Sequence, residues 1–255
     1  MHQIDIAAII AIAKEAGEAI MAIYEDDQLK GQVAWKADHS PLTLADQAAH
    51  GVIQRALLAQ YPAIPLLSEE GNLAPYSQRK TWQRYWCVDP LDGTREFINR
   101  NGEFTVNIAL IEENKPVLGV IYVPVTGVVY AGSARDGAFK VDPQGLQNSL
   151  KVRPKADSWV SVGSRSHASE YELKKLSKFP IAKSIAIGSS LKFGLLAEGL
   201  AQVYYRHGPT MEWDTAAGHA ILKYSGGTLT GPQGEDFLYN KEDLHNGSFL
   251  CLVGE

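Results

Sequence analysis

The first clear hydrophobic pattern runs through Ile6, Ile9, Ile10, Ala13, Ala16, Ile20 and Ile23, which share one side of a 3.6-residue period, while Lys14, Glu15 and Glu18 fall elsewhere. It predicts an amphipathic helix over Ile4–Tyr24, with Gly17 allowing a neighbour to approach closely. A polar, turn-rich section follows from Glu25 to Pro41. Thr43 then fits an N-cap, with Asp46 placed as in a capping box, ahead of the helical face Ala48, Ala49, Val52, Ile53, Ala56 and Leu57.

Shorter apolar runs take over from there. Ile64–Leu67 and Tyr85–Val88 read as strands, and Phe104–Ile111, Val117–Tyr122, Gly127–Tyr130 and Ala138–Val141 follow one another across short polar joints, predicting an antiparallel meander. Gln144–Pro154 is polar and turn-rich and marks the passage from an N-terminal half, 1–150, to a C-terminal half, 151–255. The second half alternates: strand Trp159–Val162, helix near Glu170–Ser177, strand Lys183–Ile187, helix Leu191–Glu198 and strand Ala201–Tyr205. A helix over Trp213–Tyr224 and terminal strands near Phe237–Tyr239 and Phe249–Val253 complete the chain. A meander flanked by helices predicts a layered, mixed α and β fold, and strand–helix alternation of this kind gathers ligands at strand carboxyl ends.

Composition narrows the function classes. With a formal charge of −5 and no basic tract, the chain lacks the electrostatic footprint of a binder of long nucleic acids. A small phosphate ester stays compatible, because the field in a site need not follow net charge once cations are bound. Cys87 and Cys251, the only cysteines, lie in apolar runs and read as small buried hydrophobes rather than a zinc site or disulfide framework. No basic leader and no uncharged apolar stretch of about 18 residues occurs, so no transmembrane segment is expected and the cytoplasm is the expected compartment.

The candidate chemistry centres on Trp86–Thr94, Trp-Cys-Val-Asp-Pro-Leu-Asp-Gly-Thr. Pro90 restricts Asp89 to extended backbone, and Gly93 and Thr94 open a short helical pattern through Phe97 and Ile98. Carboxylates beside a helix N-terminus, which favours anions, make sense with a cation between them, and Mg²⁺ held by acids and substrate phosphate is the ordinary solution. On local pattern alone Asp89 and Asp92 could instead cap a turn. Asp46 likewise could serve only as a helix cap.

Three motifs in order, Leu67-Ser68-Glu69-Glu70, the Trp86–Thr94 segment and Glu212-Trp213-Asp214-Thr215-Ala216-Ala217-Gly218, resemble the lithium-sensitive, magnesium-dependent phosphomonoesterase superfamily. That superfamily includes inositol monophosphatases, fructose-1,6-bisphosphatases and 3'(2'),5'-bisphosphate nucleotidases. The resemblance implies a layered αβαβα sandwich with the active site between its two sheet regions. It implies that Glu69, Asp89 and the Leu91 carbonyl hold one Mg²⁺, that Asp89, Asp92 and Asp214 hold a second, and that Asp46 lies near a weaker third. Glu69, Thr94 and Asp46 would be the catalytic group, with Thr94 orienting the attacking water and the Gly93 and Thr94 amides binding the transferred phosphate.

Ser164-Arg165-Ser166-His167, Gly188-Ser189-Ser190, Lys192 and Arg206 resemble the nucleotidase branch more than the inositol branch. Cationic groups among them would suit a second phosphate. Read singly, Arg165 and Arg206 could be surface ion-pair residues, Lys192 could line a helix face and His167 could cap the next helix. The implied activity is hydrolysis of adenosine 3',5'-bisphosphate to AMP and phosphate, clearing a product of sulfate assimilation, with lithium inhibition expected. Inositol monophosphate hydrolysis is the first alternative and a non-catalytic phosphate-ligand sensor the second. The resemblance also allows a homodimer, and relatives of this branch include peripheral proteins on the cytoplasmic face of the inner membrane.

Overall fold

The carboxylate of Asp5 accepts the Ala7 amide at 3.0 Å and starts helix α1 (Ile6–Tyr24), whose buried stripe includes Ile6, Ile9, Ala13, Ala16 and Ile20. Gly17 is where that helix meets the sheet: a Cβ there would stand 2.3 Å from the Tyr122 ring. The structure is a computed structural model that describes residues 4–29, 33–35, 41–152, 157–165 and 170–253. His167 and the stretch 36–40 lie outside the described residues.

After α1 come strands β1 (Val33–Trp35) and β2 (Pro41–Thr43), helix α2 (Leu44–Gln60), strand β3 (Leu66–Ser68), helix α3 (Tyr76–Arg79), strand β4 (Arg84–Asp92) and helix α4 (Thr94–Ile98). The predicted meander follows as β5 (Thr105–Glu112), β6 (Lys115–Val123), β7 (Val128–Ser133) and β8 (Gly137–Val141), with β9 (Gln147–Leu150) added. The second half runs β10 (Trp159–Gly163), α5 (Glu170–Leu176), β11 (Ile181–Ala186), α6 (Leu191–Ala197), β12 (Val203–Arg206), β13 (Thr210–Met211) and α7 (Glu212–Ser225). It closes with β14 (Thr228–Thr230), β15 (His245–Asn246) and β16 (Phe249–Leu252).

Seven strands form one sheet in the order β3-β4-β5-β6-β7-β8-β9, and five form another in the order β11-β10-β12-β16-β14. Neighbouring residues of β4 point to opposite faces, as the pleat requires. Trp86 and Val88 join a core with α1 and α2, whereas Tyr85 and Cys87 join a second core shared with α6, α7 and the smaller sheet. Both faces of β4 are therefore dry, and each fully buried large apolar side chain contributes about 1.5–3 kcal/mol. Tyr204 meets Phe193 of α6 while the next residue, Tyr205, meets Tyr171 of α5, so those two helices cover opposite faces of the small sheet. The layers are thus αβαβα.

The middle layer is fitted tightly to the large sheet. A Cβ at Gly119 of β6 would lie 2.3 Å from the Ala217 carbonyl oxygen, and one at Gly218 would lie 2.2 Å from the Phe193 ring. Small residues there let α7 rest on β6 with α6 alongside.

Three local readings change. Phe237–Tyr239 is not a strand; the strand in that region is β14, and Phe237 and Tyr239 instead turn their rings onto Phe249 and His219. The polar passage Gln144–Pro154 contains β9, an edge strand whose first three residues are exposed and carry no hydrophobic alternation. The strand at Tyr85 does not end at Val88 but continues to Asp92, with a register irregularity between Asp89 and Asp92. Pro90, which has no amide to give the ladder, sits at that irregularity.

Candidate active site

Parallel pairing of β3 with β4 sets Ser68 beside Val88, and the Glu69 amide donates to the Val88 carbonyl at 3.1 Å. Glu69 is thereby delivered next to Asp89, which is buried with its Oδ1 accepting the Leu91 amide at 3.0 Å. Asp214 arrives from the other side, in the first turn of α7, where its Oδ2 accepts the Met211 amide at 2.8 Å. Glu69, Asp89 and Asp214 each offer an oxygen within 4.8 Å of the others'.

Such crowding is unfavourable for bare carboxylates. Burial, then the charges of Glu69, Asp92, Asp214 and Asp46, push the Asp89 carboxyl well above the usual range. Burial, then Asp92 and Glu69, do the same to Asp214, against the opposing Met211 amide and Arg206. An all-oxygen set with excess negative charge fits a hard divalent cation, so the donor chemistry matches a metal centre. Leu91 and Asp92 line the same cavity.

Thr94 and Asp46 meet at its edge. The Asp46 Oδ2 accepts both the Thr43 amide, at 2.7 Å, and the Thr43 hydroxyl, completing the capping box, while its Oδ1 accepts the Thr94 hydroxyl at 3.2 Å. The cap and the site contact use different oxygens, so one buried carboxylate holds both. Gly93, in the left-handed region at φ 94°, starts α4, and a Cβ on it would press on Glu103 and Ser189.

A cavity of about 350 Å³ is lined by the acids together with Ser164, Ser189, Lys192 and Arg206 from the second half of the chain. The Lys192 ammonium is buried and donates to the carbonyls of Ile187, at 3.2 Å, and Ser189. Burial, assisted by Arg206 and opposed by Asp92, brings its pKa down to about 8. Arg206 is also buried, its Nη1 3.9 Å from Glu172 Oε1. Arg165 is placed differently: half-exposed, it pairs with Glu103 and is not among the residues lining the cavity.

The sequence model of the inositol monophosphatase family matches residues 1–251. The chain belongs to the inositol monophosphatase family. A protein of Escherichia coli O6:H1 named 3'(2'),5'-bisphosphate nucleotidase CysQ is 48% identical over 244 residues, covering 95% of this chain and 97% of the relative. The protein of the same name from Salmonella typhimurium is 48% identical over 243 residues, with the same coverage. The crystal structure of CysQ from Bacteroides thetaiotaomicron, described as a bacterial member of the inositol monophosphatase family, superposes with a TM-score of 0.86 at 40% identity, covering 98% of this chain and 97% of that one.

In this inositol monophosphatase family member, Asp92 is held by Ser190, which the sequence placed only in the Gly188-Ser189-Ser190 turn, and by Asn107, which it did not single out. The Asp92 Oδ2 accepts the Ser190 hydroxyl at 2.6 Å and the Asn107 amide at 3.2 Å. Asn107 is the β5 residue paired with Asp89 across the ladder. The signal was present: Thr105 and Asn107 are polar positions two apart in a strand that is apolar from there to Ile111, so they share one face of it. Glu212 opens the third motif but was given no role there; it is fully buried and accepts the amides of Asn240 and Lys241, at 2.7 and 2.9 Å, and the Lys241 ammonium at 2.7 Å. It anchors the first residue of α7, two positions before Asp214. No helix among the described residues is long and apolar enough to cross a membrane.

Proposed function

We propose that the chain is a Mg²⁺-dependent 3'(2'),5'-bisphosphate nucleotidase that hydrolyses adenosine 3',5'-bisphosphate to AMP and phosphate. The observation that carries this reading is one cavity lined both by the acidic cluster Glu69, Asp89 and Asp214 and by the buried cations Lys192 and Arg206. A substrate with one phosphate held by cations on the acids and another held by Lys192 and Arg206 satisfies both. The names of the CysQ relatives support the same substrate class.

Glu69, Asp89 and the Leu91 carbonyl would hold one ion, and Asp89, Asp92 and Asp214 a second, with Asp46 near a weaker third. Bound Mg²⁺ would supply charge neutralisation, polarisation of the phosphoryl group and a more acidic water. The chain's own contribution is orientation. Because the Thr94 hydroxyl gives its proton to Asp46, its lone pairs are left to accept a proton of the attacking water and hold it in line with the ester bond. The backbone N–H groups of Gly93 and Thr94 would bind the phosphate being transferred. Ser164, Ser189, Lys192 and Arg206 would hold the remainder of the nucleotide. Lithium would inhibit, and the reaction would clear a by-product of sulfate assimilation.

A phosphate-release panel tests this reading. Purified protein with Mg²⁺ is given adenosine 3',5'-bisphosphate, adenosine 2',5'-bisphosphate, inositol monophosphate, fructose bisphosphate and AMP. The expected result is highest kcat/KM for a nucleoside bisphosphate and none of it in EDTA. A larger kcat/KM for inositol monophosphate rejects the substrate class, and stoichiometric calorimetric binding of the bisphosphate without turnover rejects catalysis.

A further inference from the structure

We propose that Ser190 and Asn107 are positioning residues that occupy one oxygen of Asp92 and so leave its carboxylate a single oxygen to offer a divalent cation. The inference rests on the metal reading above and concerns how the site is held.

Proton counting fixes the pattern. Ser190 Oγ lies 2.6 Å from Asp92 Oδ2 and 3.0 Å from the Asp214 carbonyl oxygen, yet it has one proton to give. The shorter contact, to a charged acceptor, takes it. Asn107 has two amide protons; one goes to Asp92 Oδ2 at 3.2 Å and one to Ser190 Oγ at 2.8 Å. The amide cannot turn over without loss, because its Oδ1 accepts the Thr105 hydroxyl at 3.0 Å, and a flipped amide would set its oxygen against the Asp92 carboxylate.

All three partners are buried, at 0% for Thr105, 1% for Asn107 and 2% for Ser190, so their polar atoms are expensive unless satisfied by one another. They also join the two halves of the molecule. Asn107 and Thr105 come from β5 of the large sheet, while Ser190 comes from the turn before α6, which Ser189 enters at φ 43° with its hydroxyl 3.0 Å from that of Thr105. Asp92 is therefore kept in one rotamer and one charge distribution by groups from both halves. Donors on Oδ2 draw charge from the carboxylate and leave Oδ1 as the oxygen that neither Ser190 nor Asn107 occupies, so the grip on an ion is single-toothed and reproducible.

Mn²⁺ titration of the full chain, followed by the electron paramagnetic resonance signal of free Mn²⁺, reads the effect directly. Ser190→Ala and Asn107→Ala should each weaken one class of Mn²⁺ binding by about 10- to 100-fold, the scale of outer-sphere losses at metal sites. KM for the bisphosphate should move much less than kcat. Ser190→Thr should restore binding to within a few-fold, which general loosening of the fold would not allow. Thermal melts without metal check folding; if Ser190→Ala does not fold, the near-isosteric Ser190→Cys, a weaker donor, carries the same expectation. Parental Mn²⁺ stoichiometry and affinity in the folded variants overturns the inference while leaving the proposed function standing. If the parent chain binds no Mn²⁺ or Mg²⁺, the metal reading falls and this inference falls with it.

Discussion

Glu103 grips Arg165 with both carboxylate oxygens, Nη2 on Oε1 at 2.5 Å and Nε on Oε2 at 3.1 Å, and the same Oε2 accepts the Gly188 amide at 2.7 Å. A Cβ at Gly188 would stand 2.7 Å from Glu96 Cγ and 2.9 Å from Glu103 Cβ, so the turn before Ser189 is pressed onto this acid. Glu103 thus docks the loop that carries Ser189 and Ser190, and Arg165 completes the dock from the solvent side.

Arg165→Ala should consequently cost the bisphosphate reaction only a few-fold in kcat/KM, since a half-exposed ion pair is screened by water. Glu103→Ala should cost more, because it releases the Gly188 amide as well. Steady-state kinetics on both variants decides the matter. A ten-fold or larger loss in Arg165→Ala beside a near-parental Glu103→Ala would make Arg165 a phosphate ligand instead.

Asp89→Asn should separate stability from function. Asp89 has a raised pKa in the fold, so its contribution to stability is full below the unfolded value of about 3.9 and is lost as pH rises through the folded one. At neutral pH the metal-free protein therefore carries an electrostatic penalty at Asp89 that Asn removes. Its metal-free melting temperature should rise by about 2–4 °C for each kcal/mol relieved, while activity drops by at least about 100-fold. By the same sign, Mg²⁺ should raise the parent's melting temperature more at pH 8 than at pH 5. Calorimetric scans with EDTA and with Mg²⁺ check both statements; equal Mg²⁺ shifts at the two pH values would contradict them.

Much of this arrangement is written locally in the chain. The stripe of α1, the Thr43–Asp46 cap and the acids at the end of the Asp89 strand all depend on residues a few positions apart, and periodicity or turn chemistry exposes them. What stayed hidden depends on pairs distant in sequence. The bond between Ser190 and Asp92 spans 98 positions, and that from Arg79 to Asn240 spans 161, so neither has a local signature. Phe237–Tyr239 misled because aromatic residues are frequent in strands, whereas here their burial comes from ring packing without ladder partners. The edge strand β9 escaped for the converse reason: its backbone pairs, but its side chains face water.

His219 should steepen acid destabilisation. It is 9% exposed, its Nδ1 lies 3.0 Å from the Tyr239 hydroxyl, and burial followed by Lys223 lowers its pKa to about 3. The unfolded chain binds this proton near pH 6.5 and the folded chain does not until about 3, so the stability is present above 6.5 and is lost as pH falls across that window. The slope for one proton is about 1.4 kcal/mol per pH unit. Urea unfolding at pH 7, 6 and 5 should show a shallower dependence in His219→Gln, and an identical slope in parent and variant would mean the imidazole already charges within the fold.

Lys192 and Arg206 provide the sharpest test of the substrate assignment, because only a bisphosphate presents a second phosphate to them. Replacing either by Ala should lower kcat/KM for the bisphosphate relative to a monophosphate by about 10- to 150-fold, the worth of one charge-assisted hydrogen bond. KM should carry the change if the contact is equally strong in ground and transition states. The two residues then differ in pH. Lys192, with its pKa brought down to about 8 mainly by burial, is cationic below that value and loses its charge above it, whereas a guanidinium stays charged throughout. KM for the bisphosphate in the parent should therefore rise above pH 8. Arg206→Ala should keep that rise, and Lys192→Ala should lose it. Metal dependence should be unchanged in both variants, since neither side chain is a ligand. If the bisphosphate-to-monophosphate ratio stays at the parental value in both, the second phosphate binds elsewhere. If all substrates fail together in a variant whose circular dichroism is parental, the residue takes part in the chemistry itself and the specificity role is overturned.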